Sequence, residues 1–284
     1  MRELHLESGG FESARVGDLG CLLLNVGVTH RIGPRRLNVK LARLLADRGV
    51  PCLRFDLSSI GDSAAARGGA NFQQQAVLDI QAAMDELQLS CNVRRFVITG
   101  MCSGAANGYW AAKADARVAG LLMFDGMTFP TLKTALVHDL RRLRTMSWCG
   151  VAIKFVRRVQ RLLSGAPRQA VSIFNVTSDL ASPSRSEFAA TMNALVARGV
   201  AIYLVYSGSM LVDHNYHEQL ADAFHGEPFL AGIRHEFRPD VDHLVTALAL
   251  QQSLLPAICD WVIEQVLHGG EPARLTPAHT AQAA

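Results

Sequence analysis

The chain has 284 residues, 49% hydrophobic and 19% charged, so it can bury one large core and does not have the composition of a disordered protein. Its net charge of +3 is too small to suggest a nucleic-acid partner. No apolar run approaches the ~18–20 residues that a membrane span needs, and the N-terminal MRELHLESGG, with early acids and no apolar h-region, argues against a secretory signal.

Short apolar runs alternate with helical stretches along the chain. GCLLLNVGV (20–28) is a continuous apolar run ended by glycine and predicts a buried strand. In 37–49, Leu37, Leu41, Leu44 and Leu45 recur at helical spacing, and Gly49 supplies a C-cap. A strand is expected at 51–57, a helix at 71–88, a strand at 94–100, a helix at 105–114 and a strand at 118–126. Further on, a helix is expected at 184–199, strands at 200–208 and 233–239, and a closing helix, kinked at Pro256, at 246–267. The polar 271–284 tail is expected to be loose. This alternation predicts an α/β domain with a mostly parallel sheet covered on both faces. Ligands of such sheets bind at the carboxyl ends of the strands.

One stretch, 131–168, breaks the alternation and reads as helices without a strand. It carries nine basic residues against the single acid Asp139, a charge of +8. We read it as a basic helical lid inserted into a core made of 1–130 and 169–270. The six cysteines (21, 52, 91, 102, 149 and 259) are scattered without CxxC spacing, which suggests mostly buried thiols, a cytoplasmic location, no disulfide framework and no metal site.

The strongest local pattern is Gly100-Met101-Cys102-Ser103-Gly104, between an expected strand and an expected helix. A strained strand-to-helix turn that presents a nucleophile needs small residues two before and two after it. Gly100 and Gly104 meet that need around Cys102. Were Ser103 the nucleophile, Met101 would occupy a position too tight for it. At a helix N-terminus the dipole and free N–H groups favour a thiolate, and the Ser103 N–H can donate to an oxyanion.

A thiol nucleophile needs a base. His243, in Arg-Pro-Asp-Val-Asp-His-Leu just after the last expected strand, stands where the order nucleophile, acid, histidine delivers one. His214, His217 and His225 lie in a polar stretch and read as surface residues, and His235 falls inside a strand. For the acid, Asp213 is the first carboxylate after the 200–208 strand and is the first choice. Asp125, at the end of the 118–126 strand, is the second. The other oxyanion donor is expected from the loop Asn25-Val26-Gly27-Val28-Thr29-His30, with Gly27 turning the backbone and Val28 N–H donating. His30 and Arg31 are candidates for binding substrate or for capping the next helix.

These residues resemble the α/β-hydrolase superfamily. The resemblance is carried by residues 22–63, by ITGMCSGA (98–105) and by DVDHL (240–244). In the 55–63 stretch, Ser59 stands where the family's loop usually has its first glycine. The cysteine in the elbow is similar to a subgroup with a cysteine nucleophile, and NVGVTHRIGP resembles small bacterial hydrolases of polysaccharide-export or polyketide gene clusters. The resemblance implies an α/β-hydrolase fold. No Gly-rich phosphate loop or Rossmann fingerprint appears, so no nucleotide cofactor or metal is expected. The family's usual Gly-x-x-Asp after the penultimate strand is missing here.

A cysteine passes acyl groups through a thioester, so exchange with a thioester donor is near thermoneutral. The sequence is therefore read as an acyl-thioester or ester hydrolase, or an acyltransferase. The basic lid would attract an anionic acyl carrier protein or coenzyme A. A carboxylesterase or lactonase acting on a small free substrate, and a non-catalytic acyl-binding scaffold, are the alternatives.

Overall fold

The computed structural model describes residues 4–7, 17–66, 68–145 and 182–269, with backbone alone for 4–7 and 143–145. In chain order the strands are β1 (Leu4–Glu7), β2 (Leu19–Leu23), β3 (Cys52–Phe55), β4 (Arg95–Met101), β5 (Val118–Phe124), β6 (Ala201–Ser207) and β7 (Ile233–Arg238). The helices are α1 (Leu37–Ala46), α2 (Phe72–Cys91), α3 (Ser103–Ala114), α4 (Leu132–Thr145), α5 (Arg185–Ala197), α6 (Gln219–Ala223) and α7 (Leu248–Trp261). A π-helical turn, Val262–Leu267, continues α7.

The seven strands form one sheet in the order β1-β3-β2-β4-β5-β6-β7. Every pairing from β3 through β7 is parallel, and β1 alone is antiparallel, with Leu4 opposite Phe55. Alternate strand residues feed two cores, as the two-residue period of a strand requires. Leu22, Phe96, Ile98, Ile202 and Leu204 point into one core with α2, α3 and α5. Cys21, Leu23, Val97, Tyr203 and Val205 point into the other with α1 and α7. Burial on both faces explains why these strands read as continuous apolar runs.

Helix boundaries have local causes. Asn71 caps α2 and Ser184 caps α5, each in a reciprocal capping box with the side chain three residues on, Gln74 and Glu187. The strand expected at 20–28 ends at Leu23, because the backbone leaves the sheet there to form a loop beside the elbow. Residues 146–168 of the expected lid and the 271–284 tail lie outside the described residues. Among the described residues no helix is long and apolar enough to cross a membrane.

Candidate active site

Parallel strands end on one edge of the sheet, and that edge gathers the chemistry. β4 ends at Met101, Cys102 follows at φ 56° and ψ −120°, and α3 begins at Ser103. A non-glycine residue at positive φ is strained and must be held by its surroundings. The Cys102 N–H donates to Phe124 O at 2.9 Å, tying the turn to β5. The flanking glycines are required by close approach. A Cβ on Gly100 would lie 2.3 Å from Gly104 O, and one on Gly104 would lie 2.3 Å from Asn25 O. Among the described cysteines, Cys21, Cys52, Cys91 and Cys259 are buried, whereas Cys102 is half-buried. Burial pushes the Cys259 thiol up to about 12.

His243 follows β7 and meets Cys102 on one side and a carboxylate on the other. Its Nδ1 lies 2.8 Å from Asp125 Oδ2. The hydrogen bond to Asp125, then one to Cys102, outweighs burial and pushes the imidazole pKa up to about 9. The ring thus stands with a carboxylate behind it and a sulfur in front.

The acid beside His243 is thus Asp125 rather than Asp213, the first choice from sequence. Asp125 comes directly after β5, at φ 46°, with its N–H donating to Val205 O at 2.8 Å. Its carboxylate is buried and held by Ser207, whose N–H donates to Oδ1 at 2.6 Å and whose hydroxyl donates to Oδ2 at 2.5 Å. The chain after β6 explains the exchange. Ser207 occupies the strand end, and Gly208–Met210 form a tight turn against the segment before His243. A Cβ on Gly208 would lie 2.2 Å from Pro239 O. Asp213 lies beyond that turn, its N–H donating to Met210 O at 2.8 Å and its carbonyl accepting from Gln219 Nε2 at 2.6 Å.

The loop after β2 completes the edge. Val26 O accepts from Thr29 N–H at 2.9 Å, closing a turn with Gly27 at φ 57°. Gly27 N–H reaches the elbow and donates to Ser103 Oγ at 2.8 Å. Val28 is 88% exposed at the outer corner of the turn. The Ser103 N–H sits in the first turn of α3, where no intrahelical acceptor exists.

Arg31, a candidate substrate contact, is instead buried. Its Nη1 donates to Asp56 Oδ2 at 2.6 Å and to Asp62 Oδ2 at 2.9 Å, and its backbone N–H donates to Asp56 Oδ1 at 2.6 Å. Asn25 Nδ2 adds a bond to Asp56 Oδ1 at 2.7 Å, and its own Oδ1 accepts from Leu57 N–H at 2.8 Å. These bonds overcome burial and hold the Asp56 carboxyl below its ordinary pKa. His30 Nε2 lies 2.9 Å from Asp62 Oδ2 at the loop's outer side. His30, Asp56 and Asp62 offer ligand atoms within 4.8 Å of one another, but the Arg31 guanidinium already bridges the two carboxylates. The cluster thus carries its own cation and clamps the loop after β2 to the loop after β3. Ser59, standing where a glycine is usual, takes φ 68°.

One more expectation shifts. His214, read as a surface residue, is buried and stacks on Tyr206 with ring centroids 3.9 Å apart. Burial drives its pKa down to about 3, so it is a neutral packing residue. In the described part of the basic segment, Lys133 lies near Glu218 and Asp222 and over the Tyr216 ring. Arg141 donates to Asn215 O at 2.9 Å.

No known family model matches the chain, and no curated protein matches it. Solved structures do. An esterase from Pyrococcus furiosus is 12% identical, with a TM-score of 0.55 over 89% of this chain and 84% of that one. A thermophilic esterase from Thermogutta terrifontis is 18% identical, with a TM-score of 0.52 over 93% and 94%. The α/β hydrolase GrgF from Penicillium sp. sh18 is 16% identical, with a TM-score of 0.53 over 94% and 99%. At such identities the likeness speaks to architecture and not to substrate. With its parallel sheet, its strained turn after β4 and its histidine after β7, the chain has the α/β-hydrolase fold.

Proposed function

We propose that this protein is an acyl-transferring enzyme, a thioester or ester hydrolase or an acyltransferase, working through an acyl-cysteine on Cys102. The observation that carries this reading is His243 held between the Cys102 sulfur and Asp125, with Nδ1 2.8 Å from Oδ2. Cys102 Sγ, as thiolate, attacks the substrate carbonyl and forms an S–C bond. The oxyanion is met by N–H groups at the α3 N-terminus and the Gly27 turn. The C–O or C–S bond to the leaving group then breaks, and His243 Nε2–H protonates that group. Neutral His243 next takes a proton from water or another acceptor as it attacks the thioester, and Cys102 is released. Asp125 fixes the ring tautomer and stabilises the imidazolium throughout.

A thioester donor matches the near-thermoneutral first step. Docking of an acyl carrier protein or coenzyme A by the basic segment would rest chiefly on residues 146–168. A second reading, a small free ester or lactone as substrate, is favoured by the engagement of Lys133 and Arg141 with residues 215–222. The test is intact-protein mass after iodoacetamide and after a panel of acyl thioesters and aryl esters, for wild type and Cys102→Ala. Single rapid labelling and an acyl adduct, both lost in the variant, are expected. Equal labelling of the two proteins would overturn the nucleophile. Adducts from aryl esters but not from thioesters would favour the second reading.

A further inference from the structure

Ser207 and Ser209 occupy the strand end from which Asp213 was expected to act, and their bonds close a ring around the acid and the histidine. Ser207 Oγ–H donates to Asp125 Oδ2 at 2.5 Å, the same oxygen that faces His243 Nδ1 at 2.8 Å. Ser207 N–H holds the other oxygen, Oδ1, at 2.6 Å. Ser209 N–H donates back to Ser207 Oγ at 3.2 Å, and Ser209 Oγ accepts from His243 N–H at 2.8 Å. The ring thus runs from the Asp125 carboxylate through both serines to the His243 backbone and returns through the imidazole.

We infer that Ser207 and Ser209 are positioning residues with separate tasks: the Ser207 hydroxyl tempers the pull of Asp125 on the His243 ring, and the Ser209 hydroxyl fixes where the His243 backbone sits. The inference rests on the acyl-cysteine reading for its consequence in catalysis, and on geometry alone for its effect on His243. The division of labour follows from the donor directions. A hydroxyl donating to a carboxylate oxygen spreads that oxygen's negative charge, so less of it is available to a second donor on the same atom. Ser207 is fully buried, which makes solvent a poor substitute for its hydroxyl. Among the described residues, the Ser209 hydroxyl bonds the His243 main chain and not the Asp125 carboxylate.

Without the Ser207 hydroxyl, Asp125 Oδ2 has one donor left, the imidazolium, and holds it more firmly. The His243 pKa then rises. Without the Ser209 hydroxyl, the histidine loop loses an anchor while Asp125 keeps every donor. Ring placement loosens and the pKa stays.

The test is titration of the His243 imidazole by NMR in wild type, Ser207→Ala and Ser209→Ala, together with the rate of Cys102 alkylation by iodoacetamide across pH. Ser207→Ala is expected to raise the His243 pKa by about half to one unit. Ser209→Ala is expected to leave it within about 0.2 units and slow alkylation roughly three- to tenfold. An unchanged or lowered pKa in Ser207→Ala, or equal shifts in both variants, would overturn the assignment. If Ser207→Ala proves too unstable to titrate, Ser207→Thr, which keeps the hydroxyl, is expected to match the wild-type pKa, and a shift there would count against the role. A wild-type Cys102 that alkylates no faster than a free thiol would instead sink the acyl-cysteine reading, and the NMR arm would still decide the ring.

Discussion

Two carboxylate–histidine arrangements sit on the same edge of this sheet, and they are built to opposite ends. Around Asp56, both oxygens are saturated by fixed donors: the Arg31 guanidinium and backbone, Asn25, and the backbone at Asp62. A permanent cation neutralises it, and Gly61 packs so closely that a Cβ would lie 2.5 Å from the carboxylate. Around Asp125, one oxygen is left to a group that titrates, and that group's other face meets a half-buried thiol. A buried carboxylate alone therefore says little about chemistry; what distinguishes the sites is whether its counter-charge can come and go.

The sharpest way to break this contrast is to remove members of each set. His243→Ala is expected to lower kcat/KM on the order of 10⁴-fold. Asp125→Asn should cost about 10²-fold, less than in serine enzymes because the thiol needs less help to ionise. Asp213→Asn should cost less than about threefold, because His243 Nδ1 faces Asp125 instead. Each is checked by steady-state kinetics on the best substrate from the labelling panel. A greater loss for Asp213→Asn than for Asp125→Asn would return the acid to the loop after β6.

The misplacement of the acid shows where sequence reasoning runs out. The elbow was legible because its demands are local: Gly100 and Gly104 are dictated by contacts within the turn and its neighbour strand, and a strand and a helix flank it visibly. His243 was legible from chain order. Asp125 directly follows a strand and Asp213 lies several residues past one, and that spacing alone does not decide between them. The choice is made by the Gly208 turn packing on Pro239 and by Ser207 reaching across to β5, contacts between distant segments. Arg31 was misread for a like reason, since its burial depends on Asp56, 25 residues away in sequence. β1 escaped notice although Leu4-His5-Leu6-Glu7 alternates apolar and polar, because four residues are about the shortest run in which that period can show.

Breaking the other set should affect stability rather than rate. Arg31→Ala leaves the Asp56 carboxylate buried and without its cation, an expected loss of about 3–5 kcal/mol. Chemical denaturation measures it, and kcat per folded molecule should change by less than about threefold. A large kcat loss at unchanged stability would mean that Arg31 meets substrate after all. Asp62, half-exposed, offers a milder version: Asp62→Asn should cost about 1 kcal/mol or less.

The pH dependence of stability sets His243 against His214. The folded state raises the His243 pKa from 6.5 to about 9, so its contribution is complete below 6.5 and is lost as pH climbs through about 9. His214 is lowered to about 3 by burial, so the folded state keeps it neutral while the unfolded chain takes up a proton below 6.5. Its contribution is complete above 6.5 and falls away as pH drops. Each slope is at most one proton, about 1.4 kcal/mol per pH unit. His214→Phe, which can keep the stack on Tyr206, should flatten the decline between 6.5 and about 5, before the carboxylates titrate. His243→Gln should flatten only the alkaline limb. Thermal denaturation across pH reads both, and an acid limb untouched by His214→Phe would mean that the unfolded and folded chains hold that proton alike.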